Sequence, residues 1–155
     1  GEPDELCYTV NTGTDENGDP YPVFTQTILF GTDIELNSTN FPDPAFLDYL
    51  TNHSGKATEK NGKYYISDSL QLIDCNEYGI NSLEGIELFP RPMRINANRN
   101  NLTAVDFSGN LNLENVEVSY NQLTSIDVSM LQNLGSIWIS DNYLTSIDIS
   151  HNENL

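Results

Sequence analysis

Three patterns of apolar and polar positions succeed one another along the chain. In the first 40 residues Leu6, Tyr8 and Val10 alternate with polar neighbours, the period of two that marks a half-buried strand. Residues 23–30 are rich in β-forming side chains, and Asn17-Gly18 between the two runs is a strong turn signal. The pattern predicts a β-hairpin, then a short strand near residues 34–36. Residues 43–52 follow a helical period instead. Asp43 suits the N-cap, Pro44 the first helical position, and Phe46, Leu47 and Leu50 share one apolar face. One short helix is expected, ended by Asn52, His53, Ser54 and Gly55.

From Leu70 onward the chain repeats itself. LTAVDFS from Leu102, LTSIDVS from Leu123 and LTSIDIS from Leu144 begin 21 residues apart. Leu113, Val116, Val118, Asn121 and Leu123 share a register with Leu134, Ile137, Ile139, Asn142 and Leu144. Two weaker copies lie upstream: Leu70, Ile73, Cys75, Tyr78, Ile80, and Pro92, Ile95, Ala97, Asn100, Leu102. Cys75 and Ala97 are 22 apart, so one residue is inserted near Phe89 to Pro92. L-x-x-L-x-L-x-x-N-x-L at this period is the signature of leucine-rich repeats. A single copy cannot bury its own apolar positions, so copies must stack into a continuous core. The expected fold is a leucine-rich repeat solenoid. It has a parallel β-sheet on its concave face, little helix, and an N-terminal cap holding a β-hairpin and one short α-helix. The expected divisions are a hairpin region over 1–40, a cap helix and loop over 41–69, and four repeats over 70–155.

The register also sorts side chains by face. Strands centred on residues 73–75, 95–97, 116–118 and 137–139 point their paired apolar residues inward. Asn100, Asn121 and Asn142 fall where the chain leaves each strand, where an amide can satisfy backbone groups that the turn exposes. Cys75 takes a small inward slot equivalent to Ala97, Val118 and Ile139. Asp106, Asp127 and Asp148 should stack as a ladder steadied by local Ser hydroxyls and N–H groups. Alternating with the buried positions, Asp74, Asn96, Glu117 and Trp138 form one exposed row. Asn76, Asn98, Ser119 and Ser140 form the next, with Arg94, Asn115 and Ser136 on the other side. Glu77, Arg99, Tyr120 and Asp141 follow just past the strands. Trp138 stands where its row otherwise carries polar groups, and exposed Trp is enriched at binding hot spots. Trp138, Tyr120, Glu117, Asn96, Asn98 and Ser119 are therefore the expected ligand-binding residues.

Charge narrows the partners. The 155 residues carry 23 acidic and 6 basic side chains, a formal net charge of −17. No basic patch forms, so nucleic acid and anionic membrane surfaces are not expected partners. No apolar run is long enough for membrane insertion. Cys7 and Cys75 lack metal-ligand spacing, and both a bond between them and two free thiols stay open. Residues 15–19 begin like an EF-hand loop, but Pro20 replaces the needed Gly and Gln26 the closing acid, so a turn is favoured. No Gly-rich phosphate loop or nucleophile framework is present around His53 or His151, and no catalysis, cofactor or metal is expected.

With its L-T-S-I-D-V-S halves and paired inward strand residues, the segment 70–155 resembles the internalin-like, 21-residue leucine-rich repeat proteins of bacterial surfaces. The resemblance includes those exported by gut Bacteroidetes. Residues 41–50 (FPDPAFLDYL) look like the cap helix that precedes such arrays, so the likeness covers about 41–155. It implies an extracellular or cell-surface module that binds a protein or glycan without catalysis. In that family a cap loop often resembles a calcium loop followed by Ile-Ser. Here Ile66-Ser67 is present, but the matching ligand positions are Glu59, Asn61 and Lys63, the glycine is Tyr64 and the closing acid is Leu70. A cation in the third position repels calcium, which argues against a metal. No charged and apolar leader precedes the acidic start at Gly1: either a signal segment was removed or none existed. The last repeat stops at Leu155 without a polar cap, so self-association through the C-terminal edge, or a role as cap or spacer of a larger surface protein, is the alternative.

Overall fold

The computed structural model describes residues 5–10, 24–29 and 32–155, the first two stretches as backbone only. The chain divides into two compact units, residues 1–32 and 33–155. In the first, β1 (Glu5–Val10) and β2 (Phe24–Leu29) pair antiparallel, with Glu5 opposite Leu29 and Val10 opposite Phe24. This is the pairing expected of the alternating pattern. The Asn17-Gly18 turn, the EF-hand-like residues 15–19 and the Cys7 side chain lie outside the described residues.

The second unit opens with β3 (Asp33–Glu35), which pairs antiparallel with β5 (Lys63–Ser67), itself paired with β4 (Thr58–Lys60). Sequence reading treated residues 59–70 as a degenerate calcium loop. They instead form a hairpin whose turn is Asn61-Gly62, both at positive φ (54° and 76°). That turn suits the right-handed twist of the flanking strands. Glu59 and Lys63 are therefore strand residues, and Lys63 pairs with Glu35 at 3.0 Å across the sheet.

Between β3 and β4 lies α1 (Pro44–Asp48). Asp43 caps it as expected: one carboxylate oxygen accepts from the Ala45 and Phe46 N–H groups, both at 2.9 Å. The other oxygen reaches into the first repeat, accepting from Asn81 N at 2.9 Å and Ser82 N at 3.1 Å. Burial alone would raise the Asp43 pKa, but hydrogen bonds from Phe46, Asn81 and Ser82 outweigh it and hold the carboxyl below its usual range. The helix does not run regularly to residue 52. Tyr49–His53 widens into one π-helical turn, closed by Ser54 N–H on Tyr49 C=O at 2.8 Å. The Thr51 and Ser54 hydroxyls donate to the Leu47 and Leu50 carbonyls, supplying partners where the regular ladder lapses. Phe46, Tyr49 and Leu50 are buried. Phe41 sits edge-on to Phe46 and stacks on Phe89 at 5.8 Å, joining this segment to the repeat core.

The repeats supply a four-stranded parallel sheet: β6 (Leu72–Asp74), β7 (Arg94–Asn96), β8 (Asn115–Glu117) and β9 (Ser136–Trp138), in that order. Ile73, Ile95, Val116 and Ile137 stand side by side, so the 22, 21 and 21 residue spacings translate directly into register. Hydrogen bonding continues past each strand, from Cys75, Ala97 and Val118 N–H to the next rung. Ile73, Cys75, Ile95, Ala97, Val116 and Val118 are fully buried, whereas Ile137 and Ile139 are only half-buried. Cys75 is a free thiol, and burial pushes its pKa up to about 12. Among the described residues the helix content is small: α1, the π turn and one 3₁₀ turn at Ile86–Leu88.

Asparagine amides hold the returning turns. Asn121 Nδ2 donates to the Ala97, Val118 and Ser119 carbonyls, and its Oδ1 accepts from Leu102 N at 3.0 Å. Asn100 and Asn142 repeat this arrangement one rung either side. Two further sets went unread in the sequence. Asn110 and Asn152 tie pairs of carbonyls at the back of the array, and Asn112, Asn133 and Asn154 each reach the preceding copy. In the Asp ladder, Asp106, Asp127 and Asp148 each accept from the N–H two residues on, at 2.9 Å. The hydroxyls of Ser108, Ser129 and Ser150, followed by those N–H groups, hold the three carboxyls below their usual range.

Candidate functional site

The face of the β6–β9 sheet opposite the core carries the side chains that the register places outward. Trp138 is the most open of the six expected residues, 61% exposed, with no other aromatic ring packed on it among the described residues. It lies in register beside Glu117, Asn96 and Asp74, as expected.

Glu117 and Ser119 correct the expectation of an open row, being only 8% and 5% exposed. The reason is a polar lattice. Arg94 Nη2 reaches diagonally across to Glu117 Oε1 at 2.5 Å, and Asn98 Nδ2 donates to Glu117 Oε2 at 3.1 Å. The same Asn98 accepts from Ser119 N at 2.7 Å, and its own N–H donates to Asn96 Oδ1 at 3.2 Å. Both carboxylate oxygens are thus engaged inside the protein. A charge-assisted, two-sided arrangement of this kind fixes rotamers that would otherwise cost entropy on binding. Arg94 belongs to this lattice although the sequence reading left it aside. The signal was available: residues 94 and 117 are diagonal neighbours on adjacent strands, with opposite charges.

Just past the strands, Glu77, Arg99, Tyr120 and Asp141 all adopt positive φ, between 55° and 66°. Non-glycine residues rarely do so, and nothing in these four residue types advertises it. The bend turns the side chains into a second row. Arg99 Nε lies 3.4 Å from Glu77 Oε1, and its guanidinium sits 5.0 Å over the Tyr120 ring. Tyr120 remains 51% exposed, so one ring face is held by Arg99 while much of the side chain is open. Chemically, the surface offers an unpaired indole, a braced phenol and a rigid set of polar groups already bonded to one another.

No protein-family model matches the chain, and no curated protein sequence matches it significantly. Solved structures do match. InlJ from Listeria monocytogenes, whose functional domain includes a cysteine ladder, superposes with a TM-score of 0.70 at 28% identity. That match covers 81% of this chain and 28% of the chain in that structure. An internalin, InlF, from L. monocytogenes strain 4b F2365 superposes with a TM-score of 0.60 at 23% identity, covering 76% of this chain and 35% of that one. This chain therefore has an internalin-like leucine-rich repeat fold and spans well under half the length of either structure. In the inward column of its own sheet, cysteine occurs once, at Cys75, followed by Ala97, Val118 and Ile139.

Proposed function

We propose that this chain is an extracellular, non-catalytic binding or adhesion module that engages a protein or glycan through the concave face of a leucine-rich repeat solenoid. Residues 41–69, joined by β3, act as its cap, 70–155 as its four repeats, and 1–32 as an N-terminal region of its own. The observation that carries the reading is Trp138, a large apolar ring left open beside a polar lattice that needs no rearrangement. Trp138 and Tyr120 supply contact area and Asn96 and Asn98 partly accessible polar groups, while the buried Glu117 and Ser119 hold that polar surface in place. The internalin-like fold supports the reading.

Four strands at about 4.8 Å spacing give a platform only ~14 Å across, too small for a large protein interface alone. A short segment or glycan fits that width. The net charge of −17 favours a neutral or basic ligand over an anionic one. The test is a screen of glycans and extracellular proteins with the native chain and Trp138→Ala. The variant should lose roughly 2 kcal/mol of affinity at unchanged stability. Intact affinity with a weakened fold assigns Trp138 to packing and rejects the site.

A second reading rests on the β9 edge, where Tyr143 and Ile149 are exposed and Ile137, Ile139 and Leu144 are half-buried. That accessible apolar edge favours self-association. Analytical ultracentrifugation decides it: a dimer dissociated by Ile149→Lys supports this reading, and a monomer across the concentration range rejects it.

A further inference from the structure

A second concavity lies at the other edge of the sheet, three strands from Trp138, where the π turn and the end of β5 meet the edge strand β6. Its volume is about 620 Å³, within the range of small-molecule sites. Three rings stand at its wall. Tyr78 meets Tyr49 edge-on at 5.0 Å and His53 at 5.2 Å, which fixes its ring, yet Tyr78 is still 37% exposed. Leu70 and Leu72 add apolar surface nearby.

The polar groups of the same wall are of mixed type. Tyr49, buried and stacked on Phe46, also lines the cavity. Its hydroxyl oxygen accepts from the Asp74 backbone N–H at 3.1 Å, an edge group of β6, and its own proton remains to be donated. Burial pushes the Tyr49 phenol up to about 12, so it stays a donor at neutral pH. The Asp74 carboxylate, the Lys56 ammonium and the Gln71 amide also line the cavity. Among the described residues, neither Lys56 nor Asp74 takes part in an ion pair, whereas Lys60, Lys63, Arg94 and Arg99 all do. One positive and one negative group cancel, and His53 is drawn to Asp48 at 3.3 Å outside this pair.

These features discriminate between ligand classes. A cation would need ring faces open as a cage, but Tyr49 is buried and Lys56 opposes positive charge. An anion would meet Asp74. An extended peptide would need the β6 edge, and the Tyr49 hydroxyl already occupies the Asp74 N–H there. A neutral ring with an apolar face and a rim of hydroxyls matches what is left: Tyr78 and the leucines against C–H groups, and Asp74, Lys56, Gln71 and Tyr49 against hydroxyls.

We propose that this cavity is a saccharide subsite, taking one neutral pyranose unit against Tyr78 with its hydroxyls held by Asp74, Lys56 and the Tyr49 phenol. It is independent of the Trp138 surface.

The test is ligand-observed and amide-shift NMR titration of the whole chain with methyl glycosides of glucose, galactose, mannose and N-acetylglucosamine. Choline and a short extended peptide serve as the competing classes. At least one glycoside should bind saturably, with shifts centred on residues 49–56 and 69–78. Asp74→Asn and Tyr78→Ala should each weaken it at least tenfold, and Trp138→Ala should leave it unchanged. Asp74→Asn keeps the backbone N–H to Tyr49, so it separates lost binding from lost folding, which circular dichroism checks. No saturable glycoside binding overturns the proposal. So does preference for choline or the peptide, or a loss of binding in Trp138→Ala, which would move the sugar to the other surface.

Discussion

Replacing Asn121 by Ala tests how the repeats are held together. Asn121 makes four hydrogen bonds, but they are not equal. The Ala97 carbonyl also accepts from Asn100, and the Val118 carbonyl also accepts from Asn142, so both keep a partner in the variant. The Leu102 N–H does not: its acceptor is Asn121 Oδ1 at 3.0 Å, inside the array. Stranding one buried donor costs about 1–3 kcal/mol, and losing the remaining partly shared bonds adds roughly another 1 kcal/mol. A total near 3 kcal/mol is expected. Asn142→Ala removes the same set of bonds one repeat later, where Asn142 is only part-buried and water can replace the amide. There the cost should be about 1 kcal/mol. Urea denaturation followed by far-UV circular dichroism reads both, as shifts in midpoint at constant slope. Equal losses in the two variants, or a loss below about 1 kcal/mol in Asn121→Ala, would refute the shared-carbonyl account.

Three other outcomes follow from the described contacts. Because hydrogen bonds hold the Asp43 carboxyl below its usual range, its contribution is present above the unfolded value of about 3.9 and is lost as pH falls through the folded one. Thermal melts should therefore weaken below about pH 4, and less steeply in Asp43→Asn. Gly85 sits at φ 99°, and an added Cβ would lie 2.2 Å from the Asn40 carbonyl oxygen and 2.5 Å from Phe41 Cδ1. Gly85→Ala should cost roughly 3 kcal/mol, lowering Tm by about 10 °C, and an unchanged Tm would contradict that packing. Cys75, buried and with its thiol pKa raised to about 12, should resist alkylation at pH 8 in the native protein and react once unfolded in urea. Native reactivity in a Cys7→Ser background would show that the first rung opens.

The repeats were legible because stacking imposes one constraint many times over: an inward pair, a turn amide and a leucine at each return. Weak copies such as Pro92, Ile95 and Ala97 could be placed from their stronger neighbours. Other features have no such redundancy. The Asn61-Gly62 hairpin carried a clear turn signal that was overshadowed by the spacing of Glu59, Asn61 and Lys63. The π turn at Tyr49–His53 depends on where Tyr49 and Leu50 pack, which no local pattern encodes. At the candidate site, alternation placed Glu117 and Ser119 on the outward face correctly, but facing outward is not the same as being open. Their burial comes from Arg94 and Asn98, side chains reaching from the neighbouring rung, and depends on rotamers rather than on period. The positive φ at Tyr120 is likewise set by the ladder that surrounds it, since tyrosine has no preference for that conformation.

Trp138 is the single tryptophan of the chain, so its fluorescence reports on the proposed surface alone. In the free protein, with the indole 61% exposed, emission should be red-shifted and readily quenched by acrylamide. Addition of a partner recovered from the glycan and protein screen should shift the emission to the blue and lower the quenching constant, with the same midpoint as binding measured by calorimetry. Saturating binding that leaves both the emission and the quenching of Trp138 unchanged would contradict recognition on the concave face.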